Sequence, residues 1–306
     1  AELGLLLVRQ DRLGDGSRLL QGVLDRSGEQ TAFDLMRLGQ AARALGRFQE
    51  ANTFFRNATR LAAGNAVIET AWGDLFLEKY DSANASQSYQ AALKADASYV
   101  PALVGLARAT VNENPSAARQ MAEKALAINP NYVPAHLLLA ELALDDRRSD
   151  DARASIKKAL DVNPVTLEAR SLDAAMAFLE GRPAEFESIA ASVLKLHPTY
   201  GEVYRVVGDQ LGRNYRFEEA VEQTRRALAI DASSVRAYAD LGMHLLRTGD
   251  EPGARRALET AFKADPYDIV TYNLLALLDT IDKFETIREG DLIVKLDPGE
   301  SGVMRE

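Results

Sequence analysis

Residues 72–92, WGDLFLEKYDSANASQSYQAA, decide the fold, because small and aromatic residues recur in them at helical spacing. Gly73 and Phe76 lie three residues apart. A second set follows at intervals of four and three: Ala85, Tyr89 and Ala92. Positions with these spacings share one face of an α-helix, so each set marks the buried face of its own helix. The stretch therefore predicts two helices separated by a tight turn.

The same pattern returns with a period of 34 residues. Pro130, Pro164 and Pro198 are 34 residues apart, and Pro266 lies two further periods on. Such a period is typical of repeat proteins, in which each repeat buries its apolar face against its neighbours. We therefore predict seven helix-turn-helix repeats, at residues 32–65, 66–99, 100–132, 133–166, 167–200, 201–234 and 235–268. A divergent half-repeat at 1–31 precedes them, and a final helix at 269–283 follows.

These residues resemble the tetratricopeptide repeat family. Its pattern places Trp or Leu, Gly and Tyr on the first helix of a repeat, and Ala, an aromatic residue and Ala on the second, followed by Pro. Repeats six and seven match it as closely as the quoted stretch, through Val207, Gly208, Leu211, Ala220, Thr224 and Ala227, and through Leu241, Gly242, Leu245, Ala254, Leu258 and Ala261. The resemblance implies an all-α fold, a right-handed superhelix (α-solenoid), to which this chain adds a short C-terminal β-hairpin.

Repeat five departs from the pattern. It has Phe186 where other repeats have Ala, and Ala190 where they have the aromatic residue. Large and small residues have thus exchanged places at roughly constant volume. Asp173 also stands where a Leu is expected, so either the register slips by one residue or an acid is half-buried.

The composition excludes several kinds of protein. The 36 Lys and Arg against 45 Asp and Glu give a net charge of −9, which argues against nucleic-acid binding. No apolar run approaches the roughly 18–20 residues of a membrane span. The absence of Cys excludes a disulfide framework and a thiolate zinc site. The excess of Arg over Lys and the abundant Ala favour a bacterial gene, and Ala1 at the start favours a processed or excised piece; the compartment stays open.

No catalytic or metal-binding motif is present. The sequence has no phosphate-binding loop, no H-E-x-x-H and no G-x-S-x-G. His136, His197 and His244 lie in different repeats, too far apart to meet at one metal. We therefore predict a chain that is not an enzyme and uses no cofactor or metal.

The resemblance also implies a concave face, lined by the first helices, on which members of the family bind peptides or extended partner segments. The family's pattern places twelve candidate residues there: Met36, Gln40, Arg43, Asp74, Glu78, Arg108, Glu141, Asp145, Arg205, Arg213, Arg236 and Arg247. The middle of this set is acidic and its C-terminal part basic, and the basic part could hold an acidic peptide or carboxylate through bidentate Arg contacts. The alternative is that these charges simply solvate an open face. The carboxylate clamp of chaperone-binding members does not fit, because Ala71, Pro101 and Gly105 stand where it needs Lys and Asn.

The tail changes to strand spacing. Residues 284–287 and 292–296 predict two strands around a turn at 288–291, and 297–301 predict a stop and a new helix start, so that 284–306 form a hairpin and the beginning of a truncated domain. Some tail residues resemble the junction where bacterial tetratricopeptide repeats lead into a gluzincin-type peptidase domain: Asn273, Leu274, Leu275, Phe284, Gly290, Asp291, Asp297, Pro298, Gly299 and Glu300. The zinc ligands of that family lie beyond this segment, so no zinc or catalytic role is carried over.

Three hypotheses of function result. The first is a non-catalytic scaffold that binds a protein or peptide in its groove. The second is the recruiting arm of a larger bacterial metallopeptidase whose catalytic domain lies beyond Glu306. The third is a scaffold that self-associates end to end through an apolar N-terminal face formed by Leu3, Leu6, Leu7, Leu20 and Leu24.

Overall fold

The computed structural model describes residues 1–9, 12–25, 30–290 and 292–299. The chain forms two compact units, Ala1–Val206 and Val207–Glu306, which divide inside one helix. Unit 1 holds α1 (Glu2–Arg9), α2 (Leu13–Leu24), α3 (Ala32–Ala44), α4 (Phe48–Leu61), α5 (Ala66–Glu78), α6 (Ser82–Ala95), α7 (Val100–Thr110), α8 (Pro115–Ile128), α9 (Val133–Asp145), α10 (Ser149–Val162), α11 (Leu167–Leu179), α12 (Pro183–Leu196) and the start of α13 (Glu202–Arg213). Unit 2 holds the rest of α13, α14 (Phe217–Ile230), α15 (Val235–Thr248), α16 (Glu251–Ala264), α17 (Ile269–Ile281), β1 (Glu285–Glu289) and β2 (Leu292–Leu296).

The predicted fold class is confirmed. Each of the seven predicted repeats holds one pair of helices joined by a short turn, and an antiparallel β-hairpin follows the last helix. Side-chain caps fix many helix starts, because an oxygen of the N-cap residue accepts hydrogen bonds from the first-turn N–H groups. The residues that cap in this way are Thr31, Asn65, Asp81, Asn114, Ser234, Asp250 and Asp268.

The turns inside six of the repeats share one backbone conformation. Each contains a residue with left-handed φ, namely Gly46, Tyr80, Arg147, Gly181, Tyr215 and Gly249. In repeat six the N–H of Tyr215 donates to the carbonyl of Gly212 at 3.1 Å, and the N–H of Arg216 donates to that of Leu211 at 3.0 Å. These two bonds define a Schellman motif, which ends a helix and favours Gly at the left-handed position. Tyr80, Arg147 and Tyr215 therefore occupy positions where a side chain costs free energy.

Part of the core of unit 1 depends on close contact between an aromatic ring and two glycines. The Tyr89 ring is fully buried between α5 and α7. A Cβ placed on Gly73 would lie 2.8 Å from a carbon of this ring, and one placed on Gly105 would lie 2.3 Å from the same carbon. Only glycine leaves room for the ring at both positions, which explains the small residues of the repeat pattern.

Repeat five shows the predicted exchange of large and small residues. Phe186 and Ala190 are both buried, and the Phe186 ring meets those of Phe178 and Tyr204 edge-on, with centroids 5.1 and 6.0 Å away. Asp173 is half-buried, and burial raises the pKa of its carboxyl group while nearby Arg182 and Arg153 oppose the rise. Of the two alternatives for this position, the structure has the half-buried acid.

Arginines on second helices form ion pairs with acids at the ends of later first helices. In unit 1, Arg119 contacts Asp146 at 2.8 Å and Arg153 contacts Glu180 at 2.7 Å. In unit 2, Arg255 contacts both Asp279 and Asp282 at 2.7 Å. Arg119 and Arg153 are one period apart, so the same clamp recurs at successive repeats.

The two ends of the chain differ in detail from expectation. The predicted apolar face of the first helices is not one exposed surface, because Leu7 and Leu20 are buried while Leu3 and Leu6 are exposed. In the tail, β1 includes Arg288 and Glu289, which we predicted in the turn. The predicted helix start after Pro298, the residues from Glu300 onward and Asp291 lie outside the described residues.

Candidate functional site

The predicted groove residues of unit 1 pair with one another. The Nε of Arg43 on α3 donates to Oε2 of Glu78 on α5 at 2.5 Å. Arg108 on α7 reaches Glu141 on α9 through two longer bonds of 3.2 and 3.4 Å. All four side chains are about one-third exposed. Each of these two cations is therefore already neutralised by a carboxylate of another first helix.

Asp74 lies beside the Arg43–Glu78 pair and is tied to the core. The hydroxyl of Tyr89 donates to Oδ1 of Asp74 at 2.7 Å. Burial raises the pKa of the Asp74 carboxyl group, and the Tyr89 hydrogen bond and the Arg43 charge oppose this rise. Burial also raises the pKa of the Tyr89 hydroxyl, so it remains a donor at neutral pH. This hydrogen bond therefore couples the Asp74 carboxylate to the core aromatic ring.

The other candidates in unit 1 are scattered. Met36 is buried and packs in the core with Leu35 and Phe55. Gln40 is half-buried and Asp145 is exposed. Arg205 is mostly buried and donates to Glu202 of its own helix at 2.7 and 2.5 Å. These residues do not form one site.

Unit 2 contains an open pocket of about 430 Å³. Its lining residues come from α13, from the turn and first residue of α14, and from α15. It brings together two of the predicted arginines, Arg213 and Arg247. The other lining residues are Asp209, Gly212, Tyr215, Phe217, Asp240, Met243 and His244. We call this the unit 2 pocket.

The floor of the unit 2 pocket depends on one close contact. His244 is buried, and a Cβ placed on Gly212 would lie 2.5 Å from its Cε1 atom. A side chain at position 212 would therefore displace the imidazole. Gly212 and His244 together set the spacing of α13 and α15 at this point.

The wall of the unit 2 pocket is aromatic. Tyr215 is 75% exposed, and its ring meets that of Phe217 edge-on, with centroids 6.0 Å apart and planes at 79°. The guanidinium carbon of Arg247 lies 6.0 Å from the Phe217 ring centroid. This distance permits a cation–π contact. The pocket thus presents rings and a cation along one edge.

The charges of the unit 2 pocket are distributed unequally. Arg213 donates from Nε to Oδ2 of Asp209 at 3.1 Å. Asp240 and His244 also have interactions within the chain. Among the described residues, no carboxylate lies within ion-pair distance of Arg247, nor of Arg236, an exposed residue of α15 outside the pocket. Arg247 is therefore the pocket's available cation.

Sequence reasoning missed most of the lining. Tyr215, Phe217 and Met243 were not predicted, and His244 was considered only as an isolated histidine. One signal in the sequence points to Tyr215. This residue lies one period after Gly181 and one period before Gly249, so an aromatic residue occupies a position where neighbouring repeats have glycine. The neighbouring turn residues carry no such signal.

Within the described ranges, no group of three or more His, Asp or Glu side chains is placed to hold a metal ion. No helix in the same ranges has the length and hydropathy needed to cross a membrane.

Three family models match the sequence, and all three describe the tetratricopeptide repeat. They cover residues 35–65, 112–176 and 208–269, which together are about half of the chain. The three ranges fall on α3 and α4, on α8 to α11, and on α13 to α16. The chain belongs to the tetratricopeptide repeat family, whose members are generally non-catalytic scaffolds that bind protein partners. No curated protein matches the sequence.

Solved structures share the fold at low sequence identity. A tetratricopeptide repeat protein from Parabacteroides merdae is 19% identical, with a TM-score of 0.54 over 82% of this chain and 100% of that one. Yeast Tom70 is 15% identical, with a TM-score of 0.55 over 84% of this chain and 58% of that one. Cut9 with Hcn1, from the APC/C, is 13% identical, with a TM-score of 0.57 over 90% of this chain and 54% of the matched one. The likeness shows the fold, and this chain spans little more than half of the last two proteins.

Proposed function

We propose that this scaffold binds an extended segment of a partner protein and that the segment docks in the unit 2 pocket. The observation that carries the proposal is an open space of about 430 Å³ edged by Arg247, a cation with no carboxylate partner among the described residues. Pockets that bind small molecules measure roughly 300–1,000 Å³. This pocket has room for side chains of an extended segment and not for a folded domain.

The charged pairs of unit 1 support a different role for that part of the chain. A partner that used Arg43 or Arg108 would first have to displace Glu78 or Glu141. Partly exposed ion pairs contribute only about 0–1 kcal/mol each, but they favour one relative position of the helices that carry them. We assign the unit 1 pairs to aligning neighbouring first helices.

The proposal is tested by selecting binders from a displayed library of random peptides on the whole chain. The affinity of each selected peptide is then measured by fluorescence anisotropy against variants. We expect Arg247→Glu to weaken binding roughly tenfold or more, because it replaces the available cation by an anion. Arg225→Glu is the matched control, since Arg225 is an exposed arginine of α14 outside the pocket.

Two results would refute this function. One is the recovery of no peptide that binds the folded chain. The other is a set of peptides whose affinity is the same for the Arg247→Glu variant and the wild type. End-to-end self-assembly and a recruiting arm for a peptidase remain predictions.

A further inference from the structure

We infer that the unit 2 pocket recognises an aromatic side chain that is followed by a single carboxylate in the partner segment. The inference rests on the proposed function and specifies the chemistry of its ligand. Three observations carry it: the aromatic wall, the charge balance of the pocket and the backbone conformation of Tyr215.

The aromatic wall fits an aromatic guest. Tyr215 and Phe217 stand nearly perpendicular, so between them they present both a ring face and a ring edge. Aromatic pairs prefer offset-stacked or edge-to-face arrangements, and both are open to a third ring placed against this wall. The flexible side chain of Met243 lines the same pocket and can adjust to the guest.

The charge balance limits the partner to one acid beside that ring. The lining contains two arginines and two aspartates, so the pocket has no large excess of positive charge. Arg213 is held by Asp209, which leaves Arg247 as the cation available to a ligand. Asp209 and Asp240 would repel a run of acidic residues. A single carboxylate next to Arg247 gains a charge-assisted hydrogen bond without that repulsion.

The conformation of Tyr215 indicates that its side chain serves an external contact. Its φ is 62°, at a turn position where three other repeats have glycine. Residues held in a strained backbone conformation are enriched at functional sites. Tyr215 is the most exposed large apolar side chain among the described residues, at 75%, so its ring contributes little to the core. Tyr80 has the same backbone conformation but is only 40% exposed.

The test uses four labelled peptides with blocked termini: acetyl-Gly-Ser-Phe-Glu-Ser-Gly amide and its analogues with Ala for Phe, with Gln for Glu and with both changes. Anisotropy titrations measure their affinities for the whole chain. We expect the change of Phe to weaken binding roughly tenfold, and the change of Glu roughly threefold to tenfold. The doubly changed peptide should bind weakest.

Protein variants assign the two preferences to two residues. Arg247→Gln should abolish the preference for Glu over Gln and retain the preference for Phe over Ala. Tyr215→Gly should do the reverse. Arg225→Gln should leave both preferences unchanged, and circular dichroism shows that each variant is folded.

The outcomes separate the inference from the proposed function. If library-selected peptides require Arg247 but neither contain nor prefer the aromatic–acid pair, the inference is wrong and the docking site stands. If Arg247→Gln and Tyr215→Gly shift both preferences equally, the assignment of ring and charge to different residues is wrong. If no peptide from either experiment responds to pocket variants, both proposals fail.

Discussion

Replacing Gly105 by Ala tests whether the Tyr89 ring is wedged between two helices. Ala is the better helix former by about 1 kcal/mol, so the change alone would stabilise α7. The added Cβ, however, lies 2.3 Å from Cε1 of Tyr89, more than 1 Å short of ordinary contact at 3.4 Å. The ring has little room to move, because a Cβ on Gly73 would also lie only 2.8 Å from the same ring carbon and the Tyr89 hydroxyl donates to Asp74 at 2.7 Å. Overpacking of a core costs typically 1–3 kcal/mol, so after the gain of about 1 kcal/mol the measured net loss should be about 0–2 kcal/mol.

The assay is urea unfolding followed by far-ultraviolet circular dichroism. Gly22→Ala in α2 is the matched control, because a Cβ there meets nothing within 4 Å. It should raise the free energy of unfolding by up to about 1 kcal/mol. The losses caused by Gly105→Ala and Tyr89→Leu should be less than additive in the double variant, because the smaller side chain leaves room for the added Cβ. A Gly105→Ala protein as stable as Gly22→Ala would refute the wedged ring.

Three other changes probe single features. Tyr89→Phe should lower stability by about 1–2 kcal/mol, because it leaves Asp74 without its hydrogen-bond donor. Asp74→Asn retains an acceptor for the Tyr89 hydroxyl and should not reproduce the loss. Equal losses of stability in the two variants would contradict this account. Asp173→Leu should raise stability by about 1 kcal/mol at neutral pH, since it removes a half-buried acid. Because the pKa of Asp173 is higher in the folded state than in the unfolded state, the wild type loses stability as pH rises. The stability advantage of the Leu variant should therefore be small near pH 3 and largest above the raised pKa. A difference in stability that does not change with pH would contradict this. Tyr215→Gly should raise stability by about 0.5 kcal/mol through relief of left-handed strain, and thermal unfolding showing a clear loss would mean that the ring packs more than its exposure indicates.

Much of the fold follows from local rules visible in the sequence. The period of 34 predicts pairs of helices, because the small and aromatic positions must meet where helices touch. The exchange of Phe186 and Ala190 was readable for the same reason: it conserves volume at one packing position. We predicted that the tail turn begins at Arg288, but β1 continues to Glu289. Neither Arg288 nor Glu289 carries a sequence signal that distinguishes a strand from a turn.

The site was less predictable, because it depends on pairing across repeats. The family's pattern put Arg43 and Glu78 on one face, and likewise Arg108 and Glu141. It did not indicate that the two members of each pair are hydrogen-bonded to each other, as they are in the structure. It also could not distinguish Arg213, which is held by Asp209, from Arg247, which is not. Met36 shows the same limit in reverse, since its predicted position on the groove is a core position in the structure.

The recurring clamp has a consequence for how such a chain changes length. Arg119 meets Asp146 and Arg153 meets Glu180, each across 27 residues. Deleting residues 133–166 removes one whole period and leaves Arg119 the same 27 residues from Glu180. The junction created by the deletion therefore already carries a matched cation and anion, whereas a cut out of phase would separate them. Gain or loss of whole repeats preserves this ion pair, so the array can change length in units of 34 residues without requiring a new interface.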